Sequence, residues 1–209
     1  MSILPINIIL RQFAATLSFC GSFFVILIYF SFKEWRRKQR SIKFLLLITA
    51  VFDLISSANY FYYPNKETDA TCALQSLFIQ LFQAGSWFYR SFLALETAII
   101  LRSIVNSGLG YKDGTLRKTT ESITQWRHCL YHLICNGFTI SSGIYLLGAE
   151  RFGFSSTLAQ FWCWWRFHHE RLLFGFAPLW VCATTNLLCN CYVIYTLNLR
   201  QKSILMSPH

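Results

Sequence analysis

The sequence predicts an all-α integral membrane protein of five transmembrane helices, with its N-terminus outside and its C-terminus in the cytoplasm. Three observations carry that reading. Hydrophobic residues make up 54% of the chain and charged residues only 13%, against about 45–50% and about 25% in soluble domains. The apolar residues gather into runs near the roughly 20 residues that cross a bilayer. The basic residues gather in the short segments between those runs, the topological signature of a membrane protein. That distribution, rather than the net charge of +10, decides the class of partner: a lipid bilayer, and no nucleic acid.

Residues 1–209 read as a single membrane domain. The first span covers about 8–32 and includes RQFAATLSFCGSFFVILIYFSF. It is longer than the apolar region of a signal peptide and is followed by a basic stop, so it reads as a retained helix. A basic inner loop follows at 33–40. The second span, about 41–62, ends at Pro64 in the polar turn PNKETDA. The third, about 72–102, exceeds the hydrocarbon thickness at about 1.5 Å per residue and must tilt. The segment 103–125 is polar and glycine-interrupted, hence a second basic inner loop. A fourth span covers about 126–147 and an aromatic, basic outer loop 148–171. The fifth covers about 172–197, with Pro178 expected to kink its start. No internal repeat, low-complexity stretch or Asn-x-Ser/Thr sequon is present in the sequence.

Orientation follows from the Lys and Arg count. Thirteen fall on one side: Lys33, Arg36, Arg37, Lys38, Arg40, Lys43, Arg102, Lys112, Arg117, Lys118, Arg127, Arg200 and Lys202. Five fall on the other: Arg11, Lys66, Arg151, Arg166 and Arg171. The richer side is cytoplasmic. Arg90 belongs to neither, because it lies inside the third span.

Charges inside a membrane are costly and therefore informative. Asp53 lies roughly 15 Å from the cytoplasmic edge on the second helix, and Arg90 roughly 18 Å from the same edge on the third. Similar depth on sequence-adjacent helices predicts an ion pair or shared polar network. Gln83, Ser86, Arg90 and Thr97 fall on one stripe of the third helix. Glu96 lies off that stripe, within reach of the basic first inner loop, and completes the intramembrane polar set of Asp53, Arg90 and Glu96. A structural network that fixes helix register accounts for these residues as well as a switch does.

Cys72 and Cys163 both fall on the oxidising face, where a disulfide persists; two free interfacial thiols are the alternative. Cys20, Cys129, Cys135, Cys182, Cys189 and Cys191 lie in spans as small packing residues. His128, His132 and Asn136 recur at four-residue spacing, without the third ligand that zinc needs. Asn186 and Asn190 repeat that spacing, and helix packing explains both stripes. His168, His169 and Glu170 signal a metal only weakly. With no GxSxG, P-loop, GxGxxG or multi-histidine box, nothing points to an enzyme, a cofactor or a metal. Thr115, Thr119, Thr120 and Ser122 offer phosphorylatable hydroxyls in the second inner loop.

GSFFVILIYF before a basic loop, LLLITAVFDLISS, TCALQSLFIQLFQAGSWFYR and FWCWW occur in that order from about residue 20 to 197. Together they resemble the cyclic-AMP-receptor-like group of seven-helix G-protein-coupled receptors first known from slime moulds. The resemblance covers the first five of the seven helices. It implies a plasma-membrane receptor that binds an extracellular ligand and couples to a heterotrimeric G protein through its basic inner loops. It also implies a disulfide between Cys72 and Cys163, and a switch role for Asp53. The third helix ends ETAIILRS, so no Asp-Arg-Tyr-type activation element carries over. Because the chain stops about a dozen residues after the fifth span, the expected architecture is an incomplete, truncated seven-helix bundle. A ligand site is expected between the outer halves of the third and fifth helices under the FWCWW loop, at Gln83, Trp87, Trp162 and Arg166. A basic aromatic lid suits an anionic ligand, although the same residues also serve as interfacial anchors. The rival functions are a non-signalling membrane adaptor or dimerising fragment, forming homo- or hetero-oligomers through its open face, and a transporter or channel subunit using Asp53 and Arg90.

Overall fold

Apolar runs of this length fold as helices because the bilayer interior offers no water to an unpaired backbone. A computed structural model describes residues 6–32, 40–61, 69–106, 114–154, 163–165 and 168–205. Its helices are α1 (Ile6–Ser31), α2 (Arg40–Asn59), α3 (Asp69–Phe78), α4 (Ala84–Asn106), α5 (Gly114–Gly148), α6 (His168–Glu170) and α7 (Ala177–Leu205). A π turn, Ile79–Gln83, joins α3 to α4 with right-handed helical torsions at both flanks, so the two make one continuous central helix. A second π turn, Arg171–Phe176, joins α6 to α7 in the same way.

Among the described residues, four helical segments are long and apolar enough to cross a membrane: Gln12–Ser31, Ile42–Asn59, Gln125–Gly148 and Arg171–Gln201. Several crossings in one chain are the pattern of a multi-pass membrane protein. The surface agrees, since Phe24, Leu133, Trp180, Leu187 and Ile194 face outward while Gln80, Ser86, Ser91 and Glu96 are buried. Water would select the reverse. The central helix is not among the four, and its position explains why. It packs along α7, α2 and α5, while α1 packs on α2. Packed against three neighbours, it carries buried polar side chains at Gln80, Ser86, Ser91 and Glu96.

The main core joins Leu45 of α2, Tyr89 of α4, and Tyr131 and Cys135 of α5. Phe92 stacks on Tyr131 with ring centroids 4.4 Å apart and an 11° interplanar angle. Gly85 lets α2 approach the central helix: a Cβ there would overlap the Phe52 ring.

Two short strands cap one end of the bundle. β1 (Phe152–Phe154) and β2 (Cys163–Trp165) pair antiparallel with Phe152 opposite Trp165 and Phe154 opposite Cys163. Glu150, at φ 52°, sits in the left-handed region and turns the chain out of α5. Both strands rest on α3.

The helices differ from the expected bounds where polarity and helicity part company. The stretch 103–125, expected as loop, is helical through Asn106 and again from Gly114. Nothing between Gly114 and Gln125 breaks a helix, so polarity alone misled. The central helix likewise runs from Asp69 to Asn106 rather than 72–102, and α7 continues to Leu205 rather than ending near 197. Pro178 does follow an irregularity, namely the Arg171–Phe176 π turn. A widened turn there accommodates the ring and the missing N–H.

Candidate functional site

The central helix presents polar side chains to each neighbour in turn. Towards α2, Gln83, Ser86 and Arg90 lie at spacings of three and four on one face. Opposite them Asp53, Ser57 and Tyr60 repeat that spacing. Asp53 Oδ1 accepts hydrogen bonds from the Ser86 hydroxyl and from Arg90 Nη2, the latter at 2.6 Å. The Tyr60 hydroxyl donates to Gln83 Oε1 at 2.5 Å. Near the strands, Asn59 Nδ2 donates to the Gln75 carbonyl at 3.1 Å.

This face opens into a cavity of about 300 Å³. Its polar walls come from Asp53, Ser56, Ser57 and Tyr60 of α2 and from Gln83, Ser86 and Arg90 of the central helix. Trp87 adds an aromatic wall, and α1 borders the other side with the small residues Ala14, Ala15 and Ser18. Within it the Asp53 side chain is 15% exposed and that of Arg90 49%.

Towards α5 the helix makes a second charged cluster. Glu96, with 0% side-chain exposure, accepts from Arg127 Nη2 at 2.6 Å and Nε at 3.1 Å, and from the Tyr131 hydroxyl at 3.1 Å. Such two-pronged guanidinium–carboxylate contacts combine charge with fixed geometry. His132 Nδ1 lies 2.7 Å from the Tyr89 hydroxyl, and Gln80 Nε2 donates to Ser142 Oγ at 2.8 Å. Towards α7, the Ser91 hydroxyl donates to the Cys182 carbonyl at 3.2 Å and accepts from Asn186 Nδ2 at 3.2 Å. At the strand end, Cys72 and Cys163 form a disulfide with Cα atoms 5.1 Å apart. Arg151, just beyond α5, places its Nε 3.2 Å from Glu170 Oε1 of α6, a second tie at this end of the bundle.

Asp53 and Arg90 therefore meet, but the expected three-residue network does not form. Glu96 is held by Arg127 of α5, because six residues of helix carry it about 9 Å beyond Arg90. Gln83 and Trp87 do line a cavity, but it lies among α1, α2 and the central helix. It is not the expected site between the third and fifth helices. Trp162 and Arg166, with the basic loop 33–39 and residues 107–113, lie outside the described residues. Thr97 bonds back to the Leu93 carbonyl at 2.8 Å. Among the described residues no group of three His, Cys, Asp or Glu gathers as a metal site would require. Arg127 and Tyr131 were the missed partners. Their i, i+4 spacing beside an unmatched Glu96 is the signal that could have found them.

No protein-family model matches the chain, and no curated protein matches it. The site's meaning therefore rests on its chemistry. If the cavity pair is energetically coupled, Asp53→Asn and Arg90→Gln have non-additive effects on thermal stability in detergent. We expect a coupling of about 1 kcal/mol, the lower part of the 0.5–3 kcal/mol range for contacting residues, because Arg90 is half exposed and partly screened.

Proposed function

We propose that this chain is a receptor-type transmembrane signalling protein of five helices, built on the plan of the cyclic-AMP-receptor-like group. Its strand end faces outside and its Lys/Arg-rich end faces the cytoplasm, in the plasma membrane, where it couples to a heterotrimeric G protein. The central helix supplies the fifth crossing, since α3, the π turn and α4 together exceed the roughly 20 residues that a bilayer requires. The thirteen-to-five division of Lys and Arg supports the orientation.

One observation carries the reading. The central helix is covalently tied at one end to the strands preceding α6, borders a polar cavity in its middle, and holds a buried charge pair nearer its other end. A ligand that changes the middle acts on a helix whose upper end is fixed, so displacement is passed towards the Glu96 end. Transport is less favoured, because the sequence carries no internal repeat of the kind on which many transporters are built.

The test is nucleotide exchange. The full chain in lipid nanodiscs is expected to raise GTPγS uptake by at least one purified G-protein heterotrimer above the empty-disc rate. No acceleration across a panel of heterotrimers, with a second multi-span protein co-purifying, would replace this reading with the adaptor. Ion flux in vesicles that is lost in Asp53→Asn would replace it with transport.

A further inference from the structure

We infer that the cavity among α1, α2 and the central helix binds a small zwitterion of the α-amino-acid type, with Arg90 receiving its carboxylate and Asp53 its ammonium. The inference deepens the receptor reading and rests on it for the meaning of the site.

Space comes first. A volume of about 300 Å³ lies at the lower end of the roughly 300–1,000 Å³ range of small-molecule pockets, so the ligand is compact. Ala14, Ala15 and Ser18 make this room, because short side chains on α1 leave the polar wall uncovered.

Charge then selects the class. The cavity holds one carboxylate and one guanidinium, already paired through Asp53 Oδ1 and Arg90 Nη2. A guanidinium has five N–H donors and a carboxylate two oxygens, so each partner retains capacity for a second contact. A simple anion on Arg90 would add an unbalanced negative charge to the bundle, and a simple cation on Asp53 an unbalanced positive one. Either imbalance is costly away from water. A zwitterion adds one contact of each sign and leaves the net charge unchanged. Four alternating charges then replace two.

The remaining walls suit the rest of such a molecule. Trp87 offers an aromatic surface to an apolar substituent, while Tyr60 and Gln83 offer polar atoms at the strand end. A lipid chain is a poor occupant, since it would lay hydrocarbon against the ion pair.

Thermal unfolding of the full chain in detergent tests this directly, with glycine, L-serine and L-phenylalanine as probes. Acetate and methylammonium carry the single charges. At least one amino acid is expected to raise the unfolding midpoint saturably, with the single-charge probes inactive at equal concentration. Ala14→Leu narrows the cavity from α1 without removing either charge and is expected to abolish the shift, as is Arg90→Gln. A single cooperative unfolding transition shows that a variant has folded. Acetate or methylammonium acting alone, no shift with any amino acid, or a shift surviving in folded Ala14→Leu each overturns the inference. Amino-acid binding without nucleotide exchange removes the signalling reading and keeps the site. Exchange without amino-acid binding does the reverse.

Discussion

Arg127→Ala is expected to destabilise the detergent-solubilised protein by about 3–5 kcal/mol, the cost of removing one partner from a buried ion pair. Glu96 has no side-chain exposure, and its oxygens are held by Arg127 and Tyr131. Without Arg127 its carboxylate keeps one neutral donor in a place where water does not reach. Tyr131→Phe should cost far less, about 1 kcal/mol, because it removes a single hydrogen bond and leaves the charge paired. The double variant Glu96→Gln/Arg127→Gln removes the charge with its partner and is expected to be more stable than Arg127→Ala. Unfolding midpoints in a common detergent check the order. If Arg127→Ala and Tyr131→Phe unfold together, the cluster is not the energetic centre that its burial implies.

Loss of the disulfide is expected to have the second largest effect. Cys72 and Cys163 are separated by 91 residues, and chain-entropy arguments assign such a closure about 4–5 kcal/mol. Spans that remain inserted after unfolding are already confined, so about 2–3 kcal/mol is the expected loss here. Cys72→Ser, Cys163→Ser and the double variant should be equally destabilised, since all three break the same bond. Reductant should lower the wild-type midpoint to the same level and leave the variants unmoved. Additive losses in the double variant would mean that the two thiols matter separately for packing.

The sequence exposes this architecture unevenly, for physical reasons. Apolar runs announce α1, α2, α5 and α7 because their outer faces meet no polar neighbour. The same criterion mistakes the start of α5, where helicity continues beyond the apolar span into Thr, Lys and Glu. Asp53 and Arg90 are legible because a charge in a span needs a partner at its own depth. Glu96 and Arg127 obey that rule too, but Arg127 had been assigned to the loop charges that set orientation. Placing it at a helix start hid its role. The strands offered no such signal: three residues each, they pair with one another while a crosslink across 91 positions ties β2 to the central helix. Gln83 and Trp87 were recognised as cavity residues, yet on the wrong wall, because nothing in IQLFQ reveals a change of helical phase.

That change of phase has a wider consequence. A π turn holds one residue more than the α-helix it interrupts, and each residue turns the helix by about 100°. Gln80, inside the turn, therefore addresses Ser142 of α5, whereas Gln83, at its end, addresses Tyr60 of α2. One rod thereby serves two differently oriented sets of neighbours. Deleting a single residue between Ile79 and Gln83 would leave every apolar run intact, yet rotate all that follows. Arg90 would leave Asp53, and Glu96 would leave Arg127, in one step. The register of the whole lower half is thus written in a five-residue segment that touches neither charge pair.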